Sequence, residues 1–182
     1  GPDARRWHQL VHFAPVPAAG PCLLGFACDA GVRRNLGRPG AAEGPGALRK
    51  ALAPLAAHRL RSVCDLGDVK CEDDSLETAQ QAFAAVVAEA LGAGATPIGL
   101  GGGHEIAFAA WTGLRLALES RGDAGPIAVV NVDAHFDLRG DASASSGTPF
   151  RQILEDAAAR GRRVEYLCLG VSRFANTAAL FA

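Results

Sequence analysis

The sequence predicts an α/β fold in which a mostly parallel sheet is covered by helices on both faces. Short apolar runs alternate with longer, alanine-rich amphipathic stretches, which is the rhythm of βαβ units. The runs are also nearly continuous in apolar residues, as strands buried on both faces require. No internal repeat or shift of composition marks a linker, so residues 1–182 read as one domain.

The first predicted strand is residues 22–28, Cys-Leu-Leu-Gly-Phe-Ala-Cys, followed by a Gly/Arg-rich loop at 31–46. A helix over 45–55 begins at Pro45, whose fixed φ suits a first helical turn. A strand over 62–66 precedes a helix over 74–93, which Asp74 or Ser75 can cap and Gly92 and Gly94 can end. Residues 96–100 form the next strand and 105–120 the next helix, with a triple glycine between them. The strand over 127–132 runs into a loop at 139–147, and Thr148-Pro149 opens a helix over 149–160. A strand over 164–171 follows, and residues 177–182 open a further helix. The apolar end at Leu180-Phe181-Ala182 falls in mid-element, which reads as the N-terminal portion of a longer protein whose sheet closes elsewhere.

Composition excludes several classes. Hydrophobic residues are 49% of the chain, too many for a disordered segment. No apolar run has the length of a membrane span. A formal net charge of −1 argues against a dominant electrostatic surface for nucleic acid and leaves open only a local basic patch. Five cysteines, an odd number with no close pair, read as reduced thiols of a cytoplasmic protein.

Chemistry concentrates at two strand ends. In Asn131-Val132-Asp133-Ala134-His135-Phe136-Asp137, the residues Asp133, His135 and Asp137 are two apart. Alternate side chains on an extended backbone share a face, so two carboxylates and an imidazole converge. In Gly101-Gly102-Gly103-His104-Glu105, the glycines permit a tight turn and close backbone approach, delivering His104 to the same carboxyl edge. If the two strands are neighbours, His104 becomes a fourth donor. Two imidazoles and two carboxylates suit Mn²⁺, Zn²⁺, Fe²⁺ or Co²⁺, and the lack of a cysteine argues against structural zinc. Glu105 either tunes the site or, as the preferred reading, serves the helix dipole as a first-turn carboxylate.

These two motifs resemble the first two signatures of the ureohydrolases, the superfamily of arginases, agmatinases and formimidoylglutamases. Residues 25–52 are similar to that family's N-terminal region. The resemblance implies a three-layer α/β/α, arginase-like fold and a two-manganese centre whose bridging hydroxide attacks a guanidino or imino carbon. It puts His104 and Asp137 on one metal, His135 on the other, and Asp133 between them. It also implies a third signature with two further aspartates, absent from these 182 residues, and a homo-oligomer for the full-length protein.

Three details resemble the formimidoylglutamase branch. Ser146 stands where agmatinases and arginases carry a histidine, and its hydroxyl is a poor proton shuttle near neutral pH. Asp137-Leu138-Arg139 places a guanidinium two residues after a metal ligand, suited to grip a carboxylate and to repel a cation. The loop Gly31-Val32-Arg33-Arg34-Asn35-Leu36-Gly37-Arg38 offers Arg33, Arg34 and Arg38 as a second clamp or as solvated loop charge. Asn35 either holds that loop or meets substrate. In Val171-Ser172-Arg173-Phe174-Ala175-Asn176-Thr177, Arg173 or Asn176 either contacts substrate or caps the following helix.

The expected function is hydrolysis of N-formimidoyl-L-glutamate, a small-molecule substrate, to L-glutamate and formamide in histidine degradation. One alternative is a truncated, catalytically inactive ureohydrolase-like domain serving as an interaction module. The other is an agmatinase-like amidinohydrolase, disfavoured by Ser146 and Arg139. The 182 residues alone are expected to bind divalent metal poorly and to aggregate through an exposed sheet edge.

Overall fold

Residues 4–181 are described by a computed structural model. The strands are β1 (Val11–Phe13), β2 (Gly20–Ala27), β3 (Val63–Lys70), β4 (Ala95–Leu100), β5 (Ile127–Val132) and β6 (Val164–Leu169). The helices are α1 (Ala30–Arg34), α2 (Gly44–Leu52), α3 (Leu76–Ala93), α4 (Ile106–Ser120) and α5 (Pro149–Ala159). Every ladder between them is parallel, in the orders β1-β3-β2-β4 and β5-β6.

β2 is central in the first sheet and buried from Cys22 to Phe26. Leu24, Phe26 and Cys28 pack with Leu76, Phe83 and Val87 of α3 and Ala109 of α4. Leu23, on the other face, packs with Val63 and Leu100 beneath Trp7 and Val11. Gly25 shares that second face, where a Cβ would lie 2.9 Å from the Pro45 Cβ, so α2 seats directly on the strand. Gly113 plays the same part between helices. A Cβ there would come within 2.6 Å of the Val87 Cβ, and its absence lets α4 lie close on α3.

β5 and β6 are joined through α5 and covered on one face only. Ile127, Val129, Val164 and Tyr166 pack under Trp111 of α4 and Phe150, Ile153 and Ala157 of α5. On the other face Val130 is 57% exposed and Val132 79%.

The α/β class and the parallel sheet are as expected, but the sheet is in two pieces. Among the described residues β4 pairs only with β2, and β5 only with β6. The strands carrying the two motifs are therefore not hydrogen-bonded neighbours, and helices cover both faces of only the larger piece. The strand expected over 62–66 continues to Lys70, accommodated by Gly67 at φ +79° and a register shift between Leu23 and Gly25. The strand expected over 164–171 stops at Leu169, where Gly170 turns to φ +90°. α2 ends at Leu52 rather than 55, and β1 was not expected. The predicted terminal helix is a 3₁₀ turn at Ala178–Phe181, and Ala182 lies outside the described residues. No helix among the described residues is long and apolar enough to cross a membrane, and all five cysteines are free.

Candidate metal centre

The triple glycine lies against the end of β2. Gly102 N–H donates to the Phe26 carbonyl and Gly103 N–H to the Cys28 carbonyl, both at 2.9 Å. A Cβ at Gly102 would strike those two carbonyl oxygens, so only glycine brings this turn so close. The turn leaves His104 at the head of α4, facing the loop that leaves β5.

That loop is held through its backbone, with Ala134 and Phe136 as its principal attachments. The Ala134 carbonyl accepts from Ser172 N–H at 3.0 Å and from Asn176 Nδ2 at 2.8 Å. Phe136 N–H donates to Asn176 Oδ1 at 3.0 Å, and the Phe136 carbonyl accepts the Tyr166 hydroxyl at 2.8 Å. Asp133 and Asp137 meet His104 instead. Asp137 has φ +48°, a left-handed conformation that aspartate tolerates better than most residues.

His104 Nδ1 lies 2.7 Å from Asp137 Oδ2 and 3.6 Å from Asp133 Oδ2. One ligand atom from each of these three residues falls within 4.8 Å of the others. His135 stands at the edge of this group. Its Nδ1 is 3.1 Å from Asp133 Oδ1, and its side chain is 51% exposed. The ring of Phe150 meets that of His104 edge-on at 5.3 Å.

The hydrogen bond to Asp137 raises the His104 pKa above the ordinary imidazole value, against the opposing effect of burial; the Asp133 charge adds to the rise. For Asp133, burial pushes the pKa up, but the backbone N–H and ring of His135 and the charge of His104 outweigh it and bring it down. His104 therefore gains a partner when protonated. Its contribution to the stability of the metal-free fold is fully present below the unfolded imidazole pKa and is lost as pH rises through the higher folded value. A cation needs the neutral ring, so metal and proton compete there. Apparent Mn²⁺ affinity is expected to fall about tenfold per pH unit once the pH is below the folded His104 pKa. Calorimetric Mn²⁺ titrations across pH check this, and a flat profile would count against His104 as a ligand.

Of the proposed substrate contacts, Arg139, Asn35 and Ser146 come together. Arg139 Nη1 donates to Asn35 Oδ1 at 2.7 Å, and Asn35 Nδ2 donates to Ser146 Oγ at 3.1 Å. With His104, Asp133, His135 and Asp137 they line one cavity of about 370 Å³. Arg33 is paired with Asp29 and Asp74, and Arg34 with Glu77 at 2.5 Å, because α1 points both toward the start of α3. Arg38 and Arg173 are exposed and do not line this cavity. The candidate second clamp of arginines is thus not assembled there. Asn176 spends its amide on the backbone of the loop after β5 and on the Ser172 carbonyl, a role its sequence neighbours did not reveal. Glu105, read as a helix-dipole carboxylate, is fully buried.

The sequence and the fold are similar to those of known proteins. The family model described as Arginase family matches residues 19–182. This chain belongs to the arginase family. Formimidoylglutamase of Cupriavidus pinatubonensis is 54% identical over 162 residues, which is 89% of this chain and 51% of the relative. The solved Trypanosoma cruzi formiminoglutamase with Mn²⁺ is 32% identical at a TM-score of 0.71, covering 88% of this chain and 55% of that one. Formimidoylglutamase of Bacillus subtilis, at 22% identity and a TM-score of 0.80, shares the fold over 99% of this chain and 57% of its own. The chain spans about half the length of the curated relatives it matches. The cluster has the donors a hard or borderline divalent ion takes, oxygen and imidazole nitrogen without sulfur.

Proposed function

We propose that the full-length protein hydrolyses N-formimidoyl-L-glutamate to L-glutamate and formamide at a two-Mn²⁺ centre. The observation that supports this substrate best is Arg139, a guanidinium on the wall of the cavity that His104, Asp133 and Asp137 also line. The relatives named formimidoylglutamase point the same way.

His104, Asp133, His135 and Asp137 would hold the metal, with further ligands from the part of the protein beyond these residues. When bound, divalent cations supply Lewis acidity and a water acidic enough to be deprotonated near neutral pH. Arg139 grips a substrate carboxylate through two parallel N–H donors. Asn35 orients that guanidinium and directs its own amide to Ser146, whose hydroxyl can then donate to the substrate. Water adds to the formimidoyl carbon, the bond from that carbon to the glutamate nitrogen breaks, and the nitrogen leaves with a proton. Catalysis by these side chains is chiefly placement, since the arrangement has no histidine at position 146 to carry protons.

Full-length protein loaded with Mn²⁺ is expected to release glutamate and formamide in equal amounts and to leave agmatine untouched. Turnover of agmatine alone would overturn the substrate and favour an amidinohydrolase. One weakly held Mn²⁺ ion, or none, with no hydrolysis would favour the inactive module, and two tightly bound ions would sink it. Arg139→Met is expected to raise KM about 10- to 100-fold by removing charge-assisted hydrogen bonds, with a smaller effect on kcat. Unchanged KM in that variant would remove Arg139 from the substrate site.

A further inference from the structure

We propose that Glu105 is a positioning residue whose buried carboxylate fixes the spacing between the metal ligands and the Arg139–Asn35–Ser146 group. The inference rests on the function proposed above and adds to it what sets substrate length. Glu105 is 0% exposed. Its Oε1 accepts from Gly31 N–H at 2.9 Å and from the Cys28 thiol at 3.8 Å, while Oε2 has no partner. A carboxylate so poorly compensated is a costly core residue, and an apolar side chain of similar volume would serve packing better. Core packing therefore does not explain it.

Its neighbours do. Gly31 is tied on both sides of its peptide units. Its N–H goes to Glu105, and its carbonyl accepts from Ser146 N–H at 3.1 Å and Asn35 N–H at 3.0 Å. Asn35 then bonds the Ser146 hydroxyl and the Arg139 guanidinium through its side chain. An unbroken line of hydrogen bonds runs from the residue next to His104, through Gly31, to Arg139. Glu105 is fixed at its other end as well, because its own carbonyl accepts from Gln80 Nε2 at 2.9 Å.

The glycines around it have the shape of the carboxylate. A Cβ at Gly31 would lie 2.5 Å from the Glu105 carboxyl carbon, and one at Gly103 would strike Oε2. The link is thus short and has no slack on either side. A substrate held by Arg139 must place its reacting carbon at the metal ligands, so the length of this link discriminates between substrates differing by one methylene.

The test uses full-length, Mn²⁺-loaded protein and three variants, Glu105→Leu, Glu105→Gln and Gly31→Ala. Bound Mn²⁺ per folded chain, Tm, and kcat and KM for N-formimidoyl-L-glutamate and its aspartate homologue are measured. Glu105→Leu should keep its Mn²⁺, raise KM for the glutamate derivative about tenfold, and flatten the preference over the aspartate derivative, since a displacement of about 1 Å is enough for such losses. Glu105→Gln keeps an oxygen toward Gly31 N–H and should stay within about threefold of wild type. Gly31→Ala, which pushes on the carboxylate from the other side, should reproduce Glu105→Leu. It decides the matter alone if the leucine variant does not fold. A folded Glu105→Leu with wild-type KM and chain-length preference would overturn the proposal, however low its Tm. So would equal loss of Mn²⁺ in the leucine and glutamine variants. If wild type hydrolyses agmatine instead, the function reading fails and the inference resting on it fails too, a result distinct from wild-type KM and chain-length preference in a folded Glu105→Leu.

Discussion

Asp137→Val is expected to abolish hydrolysis and to destabilise the fold, whereas Asp137→Asn abolishes hydrolysis with little loss of stability. Both variants remove the carboxylate that lies 2.7 Å from His104 and completes the donor cluster. Loss of a ligand forfeits several kcal/mol of transition-state stabilisation, so kcat/KM should fall about 10³-fold or more in each. The two differ in backbone. Asp137 sits at φ +48°, where asparagine is tolerated and a β-branched residue is strained, at a cost of about 1–2 kcal/mol. Denaturant midpoints of the metal-free proteins separate that cost from the loss of metal. Equal midpoints for the two variants would show that the left-handed conformation is not imposed on the loop, and an active Asp137→Asn would remove Asp137 from the metal site.

The 182 residues expressed alone should self-associate and hold Mn²⁺ weakly. β4 and β5 each have one paired edge and one open edge among the described residues. Val130 and Val132 are exposed on β5, and an apolar cavity of about 360 Å³ lies beside that strand, lined by Ala107, Trp111 and Leu114 of α4 and Val129. Open parallel edges with apolar neighbours are templates for pairing with another chain. His104 follows β4 and Asp133 follows β5, so a strand entering between the two edges would bring its own carboxyl end to the metal ligands. Without such a strand, Asp133 and Asp137 are expected to be crowded with too little cation to offset them. Light scattering and Mn²⁺ titration of residues 1–182 beside the full-length protein check both statements. A monomer that unfolds cooperatively and binds Mn²⁺ as tightly as the longer protein would refute them.

The parts of the site legible in the sequence were those set by local spacing. Asp133, His135 and Asp137 lie within five residues, and the strand before them announces itself as an apolar run. The triple glycine likewise signalled a close backbone approach, and it meets the end of β2. Long-range partners were invisible. Arg33 and Arg34 read as a candidate substrate clamp or as free loop charge because Asp74 and Glu77, which pair with them, lie 41 and 43 residues away. Glu105 looked like a helix-dipole residue because Gly31, its partner, is 74 residues distant. Asp65 broke the apolar pattern of β3, yet it is buried because Arg49 grips it through two nitrogens at 2.7 and 2.8 Å. β1 has three residues, too few to show a period. The division of the sheet between β4 and β5 depends on which strands are present to pair, and no pattern within a strand encodes that.

Tyr166 gives the loop after β5 an optical reporter. It is the only tyrosine in the chain. Its hydroxyl donates to the Phe136 carbonyl, accepts from Asn131, and is raised in pKa chiefly by burial. While the loop stays docked, the phenol should resist ionisation in alkali. Release of the loop frees the hydroxyl to ionise nearer its ordinary pKa. Phenolate absorbance during an alkaline titration therefore follows the attachment of the loop through one chromophore, without a label and without substrate.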